Sequence, residues 1–208
     1  MTAKIKRPLF PLLPVITAIF IFAACSSGGK GPRLADDAVI LAFGDSLTFG
    51  TGAAPSESYP AVLERLVGRE VINAGIPGEV TKEGLSRLPG VLDKERPALL
   101  ILCHGGNDML RRMNMEHTAD NFRTMIKLAL ERNIFVVIIS VPAPGLALSP
   151  PSFYRETAKE FNMPFDEKIM ETVLSDSSLK SDYIHPNAAG YKRIAESIAD
   201  ILKKSGAV

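Results

Sequence analysis

Residues 39–50 read VILAFGDSLTFG. An apolar run, Val39 to Phe43, stops at Gly44; Asp45 and Ser46 follow, and then the chain turns apolar again. An uninterrupted apolar run of this kind reads as a strand buried on both faces, as in a parallel sheet. Such a strand delivers its last residues to the sheet edge where ligands bind. A glycine, an acid and a hydroxyl at that place suit a plain turn, a phosphate-binding loop or a nucleophile.

Comparable runs recur at 70–74 (EVINA), 98–103 (ALLILC) and 134–140 (IFVVIIS), with a weaker one near Met163 to Phe165. Helix-like segments lie between them. SYPAVLERLVG has Ser58 as a cap, a proline near its start and a glycine at its end. TKEGLSRLPGVLDKE contains Gly84, Pro89 and Gly90, so a bent or broken helix is expected there. Residues 117–132 set Phe122, Met125, Ile126 and Ala129 on one face. The last helix, about 188–204, does the same with Ala188, Tyr191, Ala195, Ile198 and Leu202. Strand runs alternating with helices indicate an α/β domain with a parallel sheet covered on both faces. Right-handed crossovers then bring the ends of all strands to one edge.

The N-terminus follows a different pattern. Lys4, Lys6 and Arg7 precede an uncharged stretch over residues 8–24, and Cys25 and SSGGKG come next. A basic start, an apolar middle and small residues at a cleavage point describe a secretory signal peptide. Pro8, Pro11 and Pro14 make the stretch a poor spanning helix. Cys25 directly after FAA also resembles the lipobox of bacterial lipoproteins, with Phe22 where that pattern usually has Leu. The expected organisation is a signal peptide over 1–24, a flexible linker over 25–37 beginning at a lipidated Cys25, and one domain over 38–205. That implies a cell-envelope protein, membrane-anchored through its N-terminal lipid and facing the periplasm, or a secreted one. Ser26 after the cysteine favours the outer membrane. Removing residues 1–24 leaves 21 Lys+Arg against 23 Asp+Glu, which offers no electrostatic case for a nucleic-acid partner. Cys103, the other cysteine, ends an apolar run and reads as a small buried hydrophobe.

Three loops are expected on the ligand edge: Gly44–Ser46, Asn73–Gly78 (NAGIPG) and His104–Asp108 (HGGND). Phosphate binding fits poorly. Gly50 and Gly52 begin a dinucleotide-like pattern, but Pro55 stands where a third glycine is needed, and no G-K-[ST] occurs. The G-x-S-x-G elbow is absent around Ser46. A serine nucleophile therefore has to be argued from its partners, because a hydroxyl needs a positioned base. Of the three histidines, His117 reads as a solvated residue at a helix start and His104 as part of its loop's framework or of the pocket wall. His185, in SDYIHPN, has Asp182 three residues before it and Pro186 after it. An acid so placed reaches back to Nδ1 and aims Nε2 at a substrate.

FGDSLTFG, NAGIPG, GGND and DYIHPN, in this order, resemble the four sequence blocks of the SGNH (GDSL-type) hydrolases, over about Val39 to Leu202. The likeness is closest to bacterial periplasmic esterases with thioesterase, lysophospholipase and arylesterase activity. The resemblance implies a three-layer α/β/α fold with a five-stranded parallel sheet in flavodoxin-like order. It implies Ser46 as nucleophile, His185 as base and Asp182 as the orienting acid. The oxyanion hole would come from the N–H groups of Ser46 and Gly78 and the side-chain amide of Asn107. No metal or organic cofactor is implied. Asp45 and Asp108 read as structural. The substrate is expected to be a small acyl or aryl ester, with thioesters and lysophospholipids within the family's range. Met109 and Leu110, after the Asn107 loop, and Leu146 and Leu148, in SVPAPGLALSPPSF, are expected to form an apolar rim for the acyl chain. Two alternatives stay open: a carbohydrate acetylesterase, and a lipid-anchored binding protein on the same fold.

Overall fold

The computed structural model describes residues 29–145 and 148–208. Five strands form one sheet: β1 (Ile40–Gly44), β2 (Val71–Gly75), β3 (Leu99–Cys103), β4 (Phe135–Ile139) and β5 (Phe165–Asp166). All pairings are parallel, and the order is β2-β1-β3-β4-β5. This is the flavodoxin-like order, with a topological switch between β1 and β3. Every residue of β1 and β3 is buried, as their apolar runs require. β5 is only two residues long. It ends early because the Asp166 carboxylate turns back to accept from the N–H groups of Lys168 and Ile169, at 2.9 and 2.8 Å.

Eight α-helices occur among the described residues: α1 (Ser46–Phe49), α2 (Tyr59–Val67), α3 (Thr81–Glu95), α4 (Gly106–Leu110), α5 (Met115–Leu130), α6 (Ser152–Glu160), α7 (Ile169–Ser175) and α8 (Ala188–Ser205). α2 pairs with α8, and α3 pairs with α5, giving the two helical layers. The apolar faces read from the sequence are buried, with Phe122, Met125, Ile126 and Ala129 on α5 and Tyr191, Ala195, Ile198 and Leu202 on α8; Ala188, at the start of α8, is only partly buried.

Three expectations need correction. First, α3 runs unbroken through Pro89 and Gly90. Leu88 and Leu92 are buried on either side of the proline, and this packing outweighs its cost to a helix interior. Second, Ser58 stands at the N-cap of α2 but does not cap it with its side chain. Its hydroxyl donates to Pro55 O at 2.9 Å instead.

Third, the stretch expected to be a flexible linker is docked from Gly29 onward. Gly31 N–H donates to Ser205 O and Leu34 N–H to Ala207 O, both at 2.9 Å. Leu34 belongs to the core, and Arg69 donates to the carbonyls of Leu34 and Ala35. The glycines here serve contact: a Cβ on Gly31 would stand 2.6 Å from the Phe135 ring. The domain also extends past residue 205, because Ala207 is fully buried.

This docking makes Leu34 part of the stability of the domain. Leu34→Ala should destabilise it by about 2–3 kcal/mol, the range for truncating a buried leucine near the edge of a core. Urea unfolding monitored by circular dichroism measures it, and a free linker would show no change.

Candidate active site

Ser46 is the first residue of α1, directly past the end of β1. The turn is tight. A Cβ on Gly44 would lie 2.0 Å from Cys103 O and 2.4 Å from Thr48 Oγ1, so no other residue passes between β3 and α1. Asp45, buried, accepts from Leu47 N–H at 3.0 Å and caps the helix. Burial pushes its carboxyl above the usual carboxylate range, partly offset by His104 and by the Leu47 N–H.

His185 and Asp182 sit in a surface loop clamped at its ends. Lys180 and Pro186 form an antiparallel bridge, and Ser181 N–H donates to His185 O at 3.0 Å. Asn187 accepts from Gly190 N–H to cap α8 and donates to the carbonyls of Ser178 and Lys180. Inside the loop one carboxylate has two tasks. Asp182 Oδ1 accepts from the N–H groups of Ile184 and His185, both at 2.9 Å, which builds the turn. Oδ2 lies 2.8 Å from His185 Nδ1. That contact places the ring proton on Nδ1 and leaves Nε2 as an acceptor. Nε2 lies 3.1 Å from Ser46 Oγ. A hydroxyl, an imidazole and a carboxylate are thus linked in sequence, 139 residues apart along the chain between Ser46 and His185.

The other two loops bring donors. Gly78 has φ +82°, a left-handed conformation that favours glycine, and a Cβ there would meet nothing nearer than Arg111 Nη2 at 3.8 Å. Backbone conformation, more than space, calls for glycine at this position. Arg111 donates to Gly78 O at 2.7 Å. The N–H groups of Ser46 and Gly78 make no hydrogen bond among the described residues. Asn107 Nδ2 donates to Glu79 O at 3.0 Å and, more weakly, to Asp45 Oδ2 at 3.3 Å.

A cleft of about 290 Å³ opens beside Ser46, His185 and Asn107. Leu110, Val141, Pro142, Leu148, Leu174 and Ile184 give it apolar walls. Of the large hydrophobic side chains exposed among the described residues, all but Leu66 (Phe49, Ile76, Leu110, Met113, Tyr183 and Ile184) follow the ends of β1, β2 and β3 or sit in the His185 loop.

Residues 42–193 match the GDSL-like Lipase/Acylhydrolase family. The chain belongs to that family. Among its relatives, "Thioesterase 1/protease 1/lysophospholipase L1" of Escherichia coli (strain K12) is 30% identical over 181 residues, covering 82% of this chain and 86% of that protein. The "Arylesterase" of Vibrio mimicus is 30% identical over 176 residues, covering 79% and 88%. The crystal structure of AlinE4, an SGNH-hydrolase family esterase, matches with a TM-score of 0.63 at 30% identity, over 83% of this chain and 98% of that one.

The structure redraws the expected substrate rim of this GDSL-family chain. Leu110 and Leu148 line the cleft. Met109 does not: it is buried in the core, because it lies with Asp108 on the inner face of α4. Leu146 and Cys25 lie outside the described residues. Leu174 on α7 is a wall residue that no sequence signal marked. Asp108 is buried and accepts from Thr81 N–H (2.9 Å), Thr81 Oγ1 (2.6 Å) and Thr118 Oγ1 (3.2 Å), tying α4 to α3 and α5. His117 is exposed at the start of α5. Cys103 is fully buried, and burial pushes its thiol well above its ordinary range. No group of three or more His, Cys, Asp or Glu among the described residues is arranged to hold a metal.

Asp182 is half exposed, at 52%. Its desolvation favours the neutral acid, but the hydrogen bonds from the His185 ring and from the Ile184 and His185 N–H groups outweigh it and hold the carboxyl below its ordinary value. Its support for the loop is therefore complete above the ordinary value and is lost only as pH falls through the lower, folded one. The two tasks should separate by substitution. Asp182→Asn keeps an acceptor for both amides but offers the ring an NH₂ group, whereas Asp182→Ala removes both. Amide exchange at Ile184 and His185 should stay slow in the Asn variant and become fast in the Ala variant, while ester turnover falls about 10²- to 10⁴-fold in both.

Proposed function

We propose that this chain is a serine carboxylic ester hydrolase that works through an acyl-enzyme. The observation that carries the reading is the Ser46–His185–Asp182 chain, at 3.1 and 2.8 Å, at the mouth of an apolar cleft. In this mechanism Ser46 Oγ attacks the ester carbonyl while His185 Nε2 takes its proton. Asp182 stabilises the imidazolium that forms. The carbonyl oxygen gains charge and is met by the Ser46 and Gly78 N–H groups and by Asn107, whose longer bond to Asp45 is the one it gives up. One such donor is worth about 3 kcal/mol of transition-state stabilisation. Collapse of the intermediate breaks the ester bond, and His185 returns its proton to the departing alcohol or thiol. Water, activated by the same nitrogen, then releases the acid and restores Ser46.

The cleft supports short to medium acyl or aryl groups. Its volume stands at the small end for ligand pockets, and its apolar walls are aliphatic apart from Tyr183. An acetylated sugar finds few of the aromatic faces it would stack on, since the chain has no Trp. The relatives named for thioester, lysophospholipid and aryl ester hydrolysis support the same substrate class. A purely binding protein has no need of the complete hydrogen-bonded chain.

Anchoring in the cell envelope through Cys25 belongs to this reading and is supported by the basic, apolar and small-residue pattern before it. Gly29 packs beside Asn162, which precedes β5, so the chain enters the domain at the edge opposite Ser46. Three residues separate Cys25 from Gly29, and the four steps between them span at most about 14 Å. An anchor there would direct the cleft away from its own membrane. Mass spectrometry of the membrane-purified protein should find a mature chain starting at an acylated Cys25. An intact Met1 with an unmodified cysteine would contradict the anchor.

Turnover of p-nitrophenyl acetate, butyrate and octanoate tests the hydrolase. Ser46→Ala should abolish all three activities and leave the fold intact. Near-normal turnover in that variant would contradict the mechanism. Leu148→Asp should lower kcat/KM for octanoate at least tenfold more than for acetate, because each methylene removed from water contributes about 0.8 kcal/mol. An equal loss on all three esters would mean that Leu148 does not read the chain.

A further inference from the structure

Beneath the loops that carry Gly78 and Asn107 lies a cluster that the serine, histidine and aspartate do not use. Glu79, the residue after Gly78, is 5% exposed. Its carboxylate accepts from Arg87 Nε at 2.6 Å and from Arg87 Nη2 at 2.7 Å, and lies 3.1 Å from His104 Nε2. His104 is fully buried, and its Nδ1 accepts from Gly105 N–H at 2.9 Å. That bond puts the ring proton on Nε2 and points it at Glu79. Arg87, on α3, also donates to Ala74 O at 2.8 Å and to Gly44 O at 3.4 Å, with its guanidinium 3.9 Å from the Phe43 ring centroid.

The connections are specific. Arg87 touches the ends of β1 and β2, where the Ser46 and Gly78 loops begin. His104 lies at the end of β3, where the Asn107 loop begins. Glu79 joins the two, and its own carbonyl accepts from Asn107 Nδ2 at 3.0 Å. A shift of Glu79 therefore moves the neighbour of the Gly78 N–H and the anchor of the Asn107 amide together. The packing leaves little slack: a Cβ on Gly84 of α3 would stand 2.5 Å from His104 Nε2 and 3.2 Å from Glu79 Oε2. Desolvation opposes the charge on Glu79, but its bonds to His104 and Arg87 and the Arg87 charge keep the carboxyl below its ordinary range.

We infer that Glu79, Arg87 and His104 are positioning residues that hold the Gly78 and Asn107 donors at the place where the oxyanion forms. The inference rests on the esterase reading. Its distinguishing mark is that the donors matter only when charge develops on the substrate oxygen, so losing their alignment lowers kcat and leaves substrate binding nearly unchanged. A cluster that served stability alone would lower the unfolding midpoint without this signature.

The test compares Glu79→Gln, His104→Leu and His104→Gln with the wild type. Turnover of p-nitrophenyl butyrate, inhibition by an alkylboronic acid (which adds to a serine and mimics the oxyanion) and urea unfolding are the readouts. Wild-type activity that disappears in Ser46→Ala upholds the esterase reading whatever the cluster variants do. Glu79→Gln and His104→Leu should lower kcat about 10- to 100-fold with KM within about twofold, and weaken boronate inhibition by a similar factor. His104→Gln, which keeps a side-chain N–H within reach of Glu79, should recover kcat to within about threefold of wild type. Should Glu79→Gln not fold, the two His104 variants decide. Folded variants with wild-type kcat and boronate affinity would overturn the inference, as would a His104→Gln variant no better than His104→Leu.

Discussion

Strand β1 lies between β2 and β3, and its last residue, Gly44, is level with Gly75 on one side and Cys103 on the other. Everything at the site depends on that register. Three parallel strands end at one level, so the loops that follow them start within about 10 Å of one another. One loop supplies a hydroxyl at a helix start, one a backbone N–H in a left-handed turn, and one a carboxamide. The same order places them at the switch point of the sheet, where chains leaving β1 and β3 diverge to opposite faces and leave a crevice. The fourth contribution comes from far along the chain, in the loop before α8, and is brought to the crevice by the packing of α8 against α2.

The two halves of the site are held by different forces. Ser46 and Asn107 follow the fully buried strands β1 and β3, Gly78 follows the partly buried edge strand β2, and the buried Glu79 and His104 lie beneath all three. His185 and Asp182 stand on a surface loop with no strand or helix of its own, and side-chain hydrogen bonds give it shape. Asp182 and Asn187 do most of this, each bonding to backbone groups that would otherwise face water. Such local bonds are a usual role for short polar side chains in turns. Here the turn also fixes which imidazole nitrogen faces the serine.

Much of this was legible in the sequence. Apolar runs without alternation marked β1, β3 and β4, because a strand buried on both faces tolerates little else, while the shorter run at β2 belongs to a partly buried edge strand. The triad candidates could be named because a chain with three histidines offers few bases, and only His185 had an acid three residues before it, in a loop. Other parts were obscured by physics that local patterns do not carry. Pro89 signalled a break, but the burial of Leu88 and Leu92 is a tertiary effect. Gly29 and Gly31 read as flexibility, although they are there because Asn162 and Phe135 lie against them. Glu79 and Arg87 carried no sequence signal, since nothing in the spacing of residues 79, 87 and 104 shows that they meet. Met109 and Leu110 are adjacent, yet helical geometry sends one into the core and the other to the cleft.

The central claim is that Ser46 is a nucleophile activated by His185. The most direct measurement is intact-mass and peptide-mass analysis after brief exposure to a low concentration of a fluorophosphonate, which reacts with activated serines. The account predicts one adduct per chain, located on Ser46, and its near-complete loss under the same conditions in a folded His185→Ala variant. No adduct, an adduct on a different serine, or undiminished labelling of Ser46 in the His185→Ala variant would contradict it.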